Sequence, residues 1–159
     1  MGVQQQSARE VIGRCNRLDT RIVAGGPLFT TNHEEFDGVD HFVLGEAEAI
    51  VAILAADLEN GSARRVYRSD ERPDIRKSSG PAWDLVETRK YATLSIQYSR
   101  GCPFDCEFCN IVLLNGHAPR TKSSTQLIGE MEAIYRTGWR SSVFIVDDNF
   151  IGNKRKLKA

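Results

Sequence analysis

Cys102-Pro103-Phe104-Asp105-Cys106-Glu107-Phe108-Cys109 is the stretch on which the reading of this chain turns. Its three cysteines stand at x3 then x2 spacing and follow a strand-like run, Ala92-Thr93-Leu94-Ser95-Ile96-Gln97-Tyr98. Three thiolates on one short loop can hold three irons of a cubane cluster and leave the fourth without a protein ligand. An iron left open in this way is a place to bind and reduce a substrate. A structural zinc site needs four ligands, typically in paired hooks. Here the fourth cysteine, Cys15, lies far upstream in a helix-like segment, and His117 is the nearest substitute, so a Cys3His zinc site is the bland alternative. A disulfide framework fits worse, because the cysteines are few and no secretory signal is read before them. A ferredoxin-type cluster asks for a Cys-x2-Cys-x2-Cys run with a fourth cysteine, which is absent nearby.

Downstream of the cysteines, Asn110-Ile111-Val112-Leu113-Leu114 continues as a short apolar segment and Asn115-Gly116 is a turn signal. Ser123 stands three residues before Gln126, a capping-box pattern. The helix it opens carries Leu127, Ile128, Met131, Ile134 and Tyr135 on one face, and Gly138 closes it. Ser142-Val143-Phe144-Ile145-Val146-Asp147 is the next strand. Together these make one βαβ unit, for which a right-handed crossover is expected. In parallel barrels the active site lies at the carboxyl ends of the strands. The cysteine loop follows the first strand and Asp147-Asp148-Asn149-Phe150 follows the second, so both are expected at one mouth. Arg120 and Lys122, on the loop before the helix, are candidates to neutralise a cluster or a bound carboxylate. A solvated basic loop is the alternative.

Upstream, residues 4–18 read as an amphipathic helix with Ala8, Val11, Ile12, Cys15 and Leu18 recurring at helical spacing. Cys15 is expected to face the core as an inert thiol. A short strand, Arg21-Ile22-Val23-Ala24, ends in Gly25-Gly26-Pro27. A second, His41-Phe42-Val43-Leu44, ends in Gly45-Glu46. A helix is expected from about Ala47 to Leu58, stopping at Asn60-Gly61. This alternation is the grammar of a parallel α/β sheet. Glycine at a strand's carboxyl end suits close approach of a ligand to the backbone, or a plain tight turn. Residues 61–91, dense in charge and broken by Pro73 and Ser78-Ser79-Gly80-Pro81, read as a linker, with Trp83 as a packing anchor.

Cys-x3-Cys-x-Phe-Cys after Ser99-Arg100-Gly101 resembles the signature of the radical S-adenosylmethionine (SAM) enzymes. The resemblance implies that Cys102, Cys106 and Cys109 bind a 4Fe–4S cluster and that SAM chelates the open iron. One electron then cleaves SAM to methionine and a 5′-deoxyadenosyl radical, with Phe108 near the adenine. It also implies SAM contacts at the end of the second strand, where Asp147 and Asp148 are the candidates, with Arg120 as a further one. The segments Ala24-Gly25-Gly26-Pro27 and Val43-Leu44-Gly45-Glu46-Ala47-Glu48 resemble the last strand–loop units of the cobalamin-binding domain that precedes many radical SAM barrels. That implies cobalamin contacts at Gly25, Gly26 and Gly45. No Asp-x-His-x-x-Gly cobalt-ligand motif occurs in the chain, so histidine ligation is not expected, and His33 and His41 read as surface or packing residues.

The expected fold is therefore α/β, the C-terminal half of a flavodoxin-like cobalamin-binding domain (1–60), a linker (61–91) and the first βα units of a radical SAM partial TIM barrel (92–159). Fewer residues follow Cys102 than two complete βα units of about 30 residues would use. The chain is accordingly expected to be part of a larger enzyme and inactive alone, with exposed sheet edges. The text around the cysteines resembles hopanoid-type lipid C-methylases. Cobalamin-dependent C-methyl transfer to a small molecule or lipid is thus the leading expectation, with flavodoxin or ferredoxin as electron donor. The alternatives are a radical SAM enzyme without cobalamin acting on RNA or a peptide, and a non-catalytic iron–sulfur or zinc module.

Composition sets the bounds. The 159 residues hold 21 Lys+Arg against 21 Asp+Glu, a net charge of zero, which argues against a broad nucleic-acid or membrane footprint. An apolar content of 41% is enough for a packed core. No apolar run approaches the ~20 residues that span a bilayer. Met1-Gly2 mimics a myristoylation signal, but Gln6 breaks the pattern. Reduced cysteines and an oxygen-sensitive cluster point to the cytoplasm. The terminal Lys154-Arg155-Lys156-Leu157-Lys158 resembles the start of another helix.

Overall fold

Helical and strand periods alternate along the chain, and a computed structural model shows what each segment becomes. The structure describes residues 2–150; the basic run at 154–158 lies outside them. Two compact units are formed, 1–73 and 74–159.

The first unit begins with helix α1 (Gly2–Arg17), followed by strand β1 (Val23–Gly25), the short helix α2 (Pro27–Asn32), strand β2 (His41–Leu44), helix α3 (Val51–Glu59) and strand β3 (Val66–Arg68). The three strands are parallel in the order β1-β2-β3. Strand β2 is central and all four of its residues are buried, as a strand covered on both faces should be. On one face Phe42 and Leu44 join Ile12, Ala24, Phe36 and Val39. On the other Val43 meets Ile50, Leu54 and Tyr67. Only part of the expected stripe of α1 reaches the core. Ile12 is buried and Ala8 packs beside it, whereas Cys15 is half-buried and Val11 and Leu18 are exposed. Residues 8, 12 and 15 run down one line of the helix, while 11 sits to its side and 18 lies past its last residue.

Strand β3 falls inside the stretch read as a linker. Its single inward side chain, Tyr67, is flanked by Arg64, Arg65 and Arg68, so the charge hides a three-residue strand. The Tyr67 hydroxyl donates to Asp57 Oδ2 at 2.7 Å and accepts from the Arg64 backbone N–H at 2.9 Å. The Arg64 guanidinium lies over the Tyr67 ring. Tyr67→Phe strips a half-buried carboxylate and a backbone N–H of one partner each. It is expected to lower stability by about 1–2 kcal/mol, read from circular dichroism on denaturation. Fluorescence is unsuitable, because both tryptophans, Trp83 and Trp139, belong to the second unit.

The second unit opens with three short 3₁₀ turns, Ile75–Lys77, Trp83–Leu85 and Thr88–Lys90. Strand β4 (Leu94–Ile96), strand β5 (Ser99–Arg100), helix α4 (Ile111–Asn115), strand β6 (Arg120–Thr121), helix α5 (Ser124–Arg136) and strand β7 (Val143–Ile145) follow. Strands β4 and β7 pair in parallel, joined through α5, which is the expected βαβ unit. Leu94, Ile96 and Ile134 form the core, with Trp83, Leu127, Trp139 and Val143 against it. Trp83 is thus a packing anchor. Ser123 caps α5 by accepting from Gln126 N at 3.1 Å. The Gln126 amide turns away from the cap and donates to the carbonyls of Ile75 and Ser78, tying a 3₁₀ turn to the helix. The expected apolar face of α5 is divided: Ile134 is buried, while Ile128, Met131 and Tyr135 are exposed. A two-stranded sheet is too narrow to cover the whole face.

Candidate functional site: the cysteine loop at the carboxyl end of a parallel pair

Parallel pairing puts the carboxyl ends of β4 and β7 side by side, with Leu94 opposite Val143 and Ile96 opposite Ile145. The last rung is Val146 N to Ile96 O at 2.9 Å. Beyond it the chain leaves β4 as Tyr98–Cys102 and leaves β7 as Asp147–Phe150, so the two segments expected at one mouth are neighbours. The Tyr98 and Phe150 rings meet edge to face at 5.8 Å.

The cysteine loop hangs from a small antiparallel clip. Strand β5 pairs with β6, Ser99 opposite Thr121 and Arg100 opposite Arg120. Lys122 N donates to Tyr98 O at 2.9 Å just beyond the clip. Inside it, Cys102 N donates to Gly116 O at 3.2 Å. Gly101 is buried at φ +95°, and a Cβ there would stand 2.9 Å from Ala118 O, 3.0 Å from Gly116 O and 3.2 Å from Asn115 O. Glycine is demanded by both the φ and the three carbonyls. Farther out, Cys109 N bonds Cys106 O at 2.9 Å, so those two thiols share a turn. Two-residue strands carry no period, and nothing in the sequence signalled the clip.

All three cysteines are free thiols. Cys102 and Cys109 are half-buried and Cys106 is exposed. As donors, three soft thiolates on one loop suit an iron–sulfur cluster and not a hard cation. Among the described residues, no three His, Cys, Asp or Glu side chains are gathered for a metal. The fold fixes Cys102 and carries the other two on the turn. Phe108 is 91% exposed, and Asp105 and Glu107 point outward as expected.

The acidic pair is engaged with the protein itself. Asp147 takes hydrogen bonds from Tyr98 and Ser99, and Asp148 from Gly101 and Asn115. The candidate cations also face inward. Arg120 Nη2 donates to Asn115 O at 3.0 Å. The Lys122 ammonium lies 2.6 and 2.7 Å from the two carboxylate oxygens of Glu130 on α5, nearly out of water. Glu130 is a residue the sequence reading missed, since a carboxylate on an amphipathic helix looks like a solvated face.

In the first unit Gly25 closes β1 and Gly45 follows β2, at the same carboxyl edge. Backbone crowds Gly25 and requires glycine at 45. A Cβ on Gly25 would stand 3.0 Å from Val43 O, and one on Gly45, at φ +93°, would stand 2.5 Å from Ser69 O. Gly45 N also donates to Thr30 Oγ1 at 3.1 Å. Gly26, at φ +87°, faces open space. Gly25 and Gly26 are exposed and Gly45 is half-buried. Both histidines of this unit are packing residues: His33 stacks edge-on against Phe42, and the buried His41 places Nδ1 2.7 Å from Arg64 O.

A parallel α/β unit with a three-cysteine loop at the carboxyl end of its first strand defines a class by architecture, and known proteins resemble it in sequence and in fold. No protein-family model matches the chain. An uncharacterized methyltransferase of Synechocystis sp. is 42% identical across 99% of this chain and 30% of its own length. The hopanoid C-2 methylase of Rhodopseudomonas palustris is 35% identical across 98% of this chain and 30% of its own length. Among solved structures, the radical SAM methyltransferase TsrM of Kitasatospora setae, solved with tryptophan substrate and a SAM analogue bound, superposes with a TM-score of 0.69. That match covers 93% of this chain and 33% of TsrM at 20% identity, a likeness of fold. Over nearly its whole length the chain is similar in sequence to methylases, and its fold is that of a radical SAM methyltransferase. It spans about a third of the length of these relatives. Among the described residues no helix is long and apolar enough to cross a membrane.

Proposed function

We propose that this chain carries the cluster-binding segment of a radical SAM C-methylase, with Cys102, Cys106 and Cys109 as the ligands of a 4Fe–4S cluster. The observation that supports this most is the loop itself: three free thiols, the first held by its backbone at the carboxyl end of a parallel strand pair. When bound, the cluster supplies one electron, SAM a hydrogen-abstracting radical, and cobalamin a methyl carrier. The residues of this chain do the holding. Gly101 and the β5–β6 clip fix Cys102, the turn at Cys106–Cys109 presents the other two sulfurs, and exposed Phe108 offers an aromatic face to adenine. Gly26 and its neighbours are the candidates for cobalamin. The hopanoid methylases among the relatives favour an unreactive carbon of a lipid as methyl acceptor.

Electron paramagnetic resonance of anaerobically reconstituted, dithionite-reduced protein tests this directly. The expected result is a 4Fe–4S signal that shifts when SAM is added, because SAM ligates the open iron. Cys106→Ala is expected to abolish the signal while leaving the circular dichroism of the metal-free chain unchanged, since Cys106 is exposed. A folded protein that takes up zinc and no iron or sulfide would sink the proposal.

A further inference from the structure

Three consecutive side chains leave β7 and take hold, in order, of the segment that leads into the cysteine loop. Asp147 Oδ1 accepts from Tyr98 N at 2.7 Å and from Ser99 N at 3.0 Å, and its Oδ2 accepts from Ser99 Oγ at 2.7 Å. Asp148 Oδ2 accepts from Gly101 N at 3.0 Å and from Asn115 Nδ2 at 2.7 Å. Asn149 Nδ2 donates to Cys102 Sγ at 3.6 Å. We propose that Asp147-Asp148-Asn149 is a clasp that positions Cys102, its two carboxylates serving as acceptors for protein N–H and O–H groups and not as counter-charges for a bound cation.

The need for a clasp follows from the backbone. The N–H groups of Tyr98, Ser99 and Gly101 lie beyond the last β4–β7 rung, and partly buried donors require acceptors. Carboxylates form the stronger, charge-assisted bonds and so hold the turn stiffly. Asp147 spends both oxygens on three donors. Position 149 calls for the opposite chemistry. An amide brings N–H donors to a sulfur, where a carboxylate would bring only lone pairs. A hydrogen bond to a cluster sulfur is one of the levers on reduction potential. This last consequence rests on the proposed cluster; the clasp itself belongs to the metal-free chain.

The test separates acceptor geometry from charge. In Asp147→Asn the amide oxygen still accepts from Tyr98 and Ser99, and its NH₂ can donate to a Ser99 hydroxyl that turns from donor to acceptor. Asp147→Ala removes all three bonds. Amide exchange is measured by NMR on the metal-free full chain. Asp147→Ala is expected to speed exchange at Tyr98 and Ser99, and Asp148→Ala at Gly101, by about tenfold or more, with the amides of α5 unchanged. Asp147→Asn is expected to restore slow exchange and, after reconstitution, to keep both the cluster and its spectral response to SAM. Asn149→Leu is expected to lower the midpoint potential of the cluster. Unchanged exchange in the folded alanine variants overturns the clasp. So does an Asp147→Asn protein that keeps its cluster but no longer responds to SAM, an outcome that decides the matter even if the alanine variants do not fold. An unchanged potential in Asn149→Leu removes Asn149 from it. Should the unsubstituted protein bind no iron, the cluster proposal fails while the exchange rates still decide the clasp.

Discussion

Gly101→Ala is expected to release the cysteine loop from the sheet and cut iron uptake to a small fraction of that of the unsubstituted protein. At φ +95° an alanine is strained in its own backbone, and its Cβ would crowd three carbonyl oxygens at 2.9, 3.0 and 3.2 Å. Those carbonyls cannot simply withdraw. Gly116 O accepts from Cys102 N, and Asn115 O from Arg120 Nη2, so movement that relieves the clash breaks the bonds that hold the start of the cysteine loop. Strain and lost hydrogen bonds together amount to about 2–4 kcal/mol. The loss should be local. Faster amide exchange at Cys102 and Lys122, with α5 protected as before, is the expected pattern beside the fall in iron per chain. Normal iron content in Gly101→Ala would show that the loop does not depend on this geometry.

Glu130→Ala is expected to destabilise the second unit by about 3–5 kcal/mol. Lys122 and Glu130 have side chains only 10% and 5% exposed, and the ammonium sits between both carboxylate oxygens. Removing the carboxylate leaves a buried cation with no counter-charge, and the helix that covers the β4–β7 pair loses its tie to the segment after β6. The pair need not be worth that much in itself. Ionic partners removed from water give up hydration, so the double variant Lys122→Met/Glu130→Leu is expected to recover most of the loss. Urea unfolding followed by tryptophan fluorescence reads this unit alone, because Trp83 and Trp139 both pack on its Leu94–Ile96–Ile134 core. Equal stability of the Glu130→Ala and unsubstituted proteins would mean that water reaches Lys122 freely.

These two residues differ in how far they could be foreseen. A glycine before the first cysteine is visible as part of a motif, although nothing local says that three carbonyls crowd it. Glu130 gave no signal, because one carboxylate on an amphipathic helix has the same appearance whether it faces solvent or a buried lysine. The first unit repeats the contrast. His41–Leu44 was legible as a strand because Phe42 and Val43 at its centre favour β structure and a glycine ends it. Val66–Arg68 was not, because its one buried side chain stands among arginines and pairing with β2 outweighs the charged surroundings. The acidic pair after β7 was read as a ligand site from its place at a strand end. The pair does stand at that strand end, where protein N–H and O–H groups donate to it.

The sequence by itself determined where the thiols stand, that they share one loop behind a β-strand, and that strands and helices alternate in the parallel α/β manner. Spacing, periodicity and capping are properties of near neighbours, so a linear text carries them. Only the tertiary structure decided what Asp147, Asp148, Asn149 and Lys122 do. The clasp joins residues 47 to 49 positions apart, or 33 for Asp148 with Asn115. Such contacts exist only once parallel pairing of β4 and β7 has brought two carboxyl ends together, and a polar side chain reveals its partner only after the backbone has chosen its neighbours.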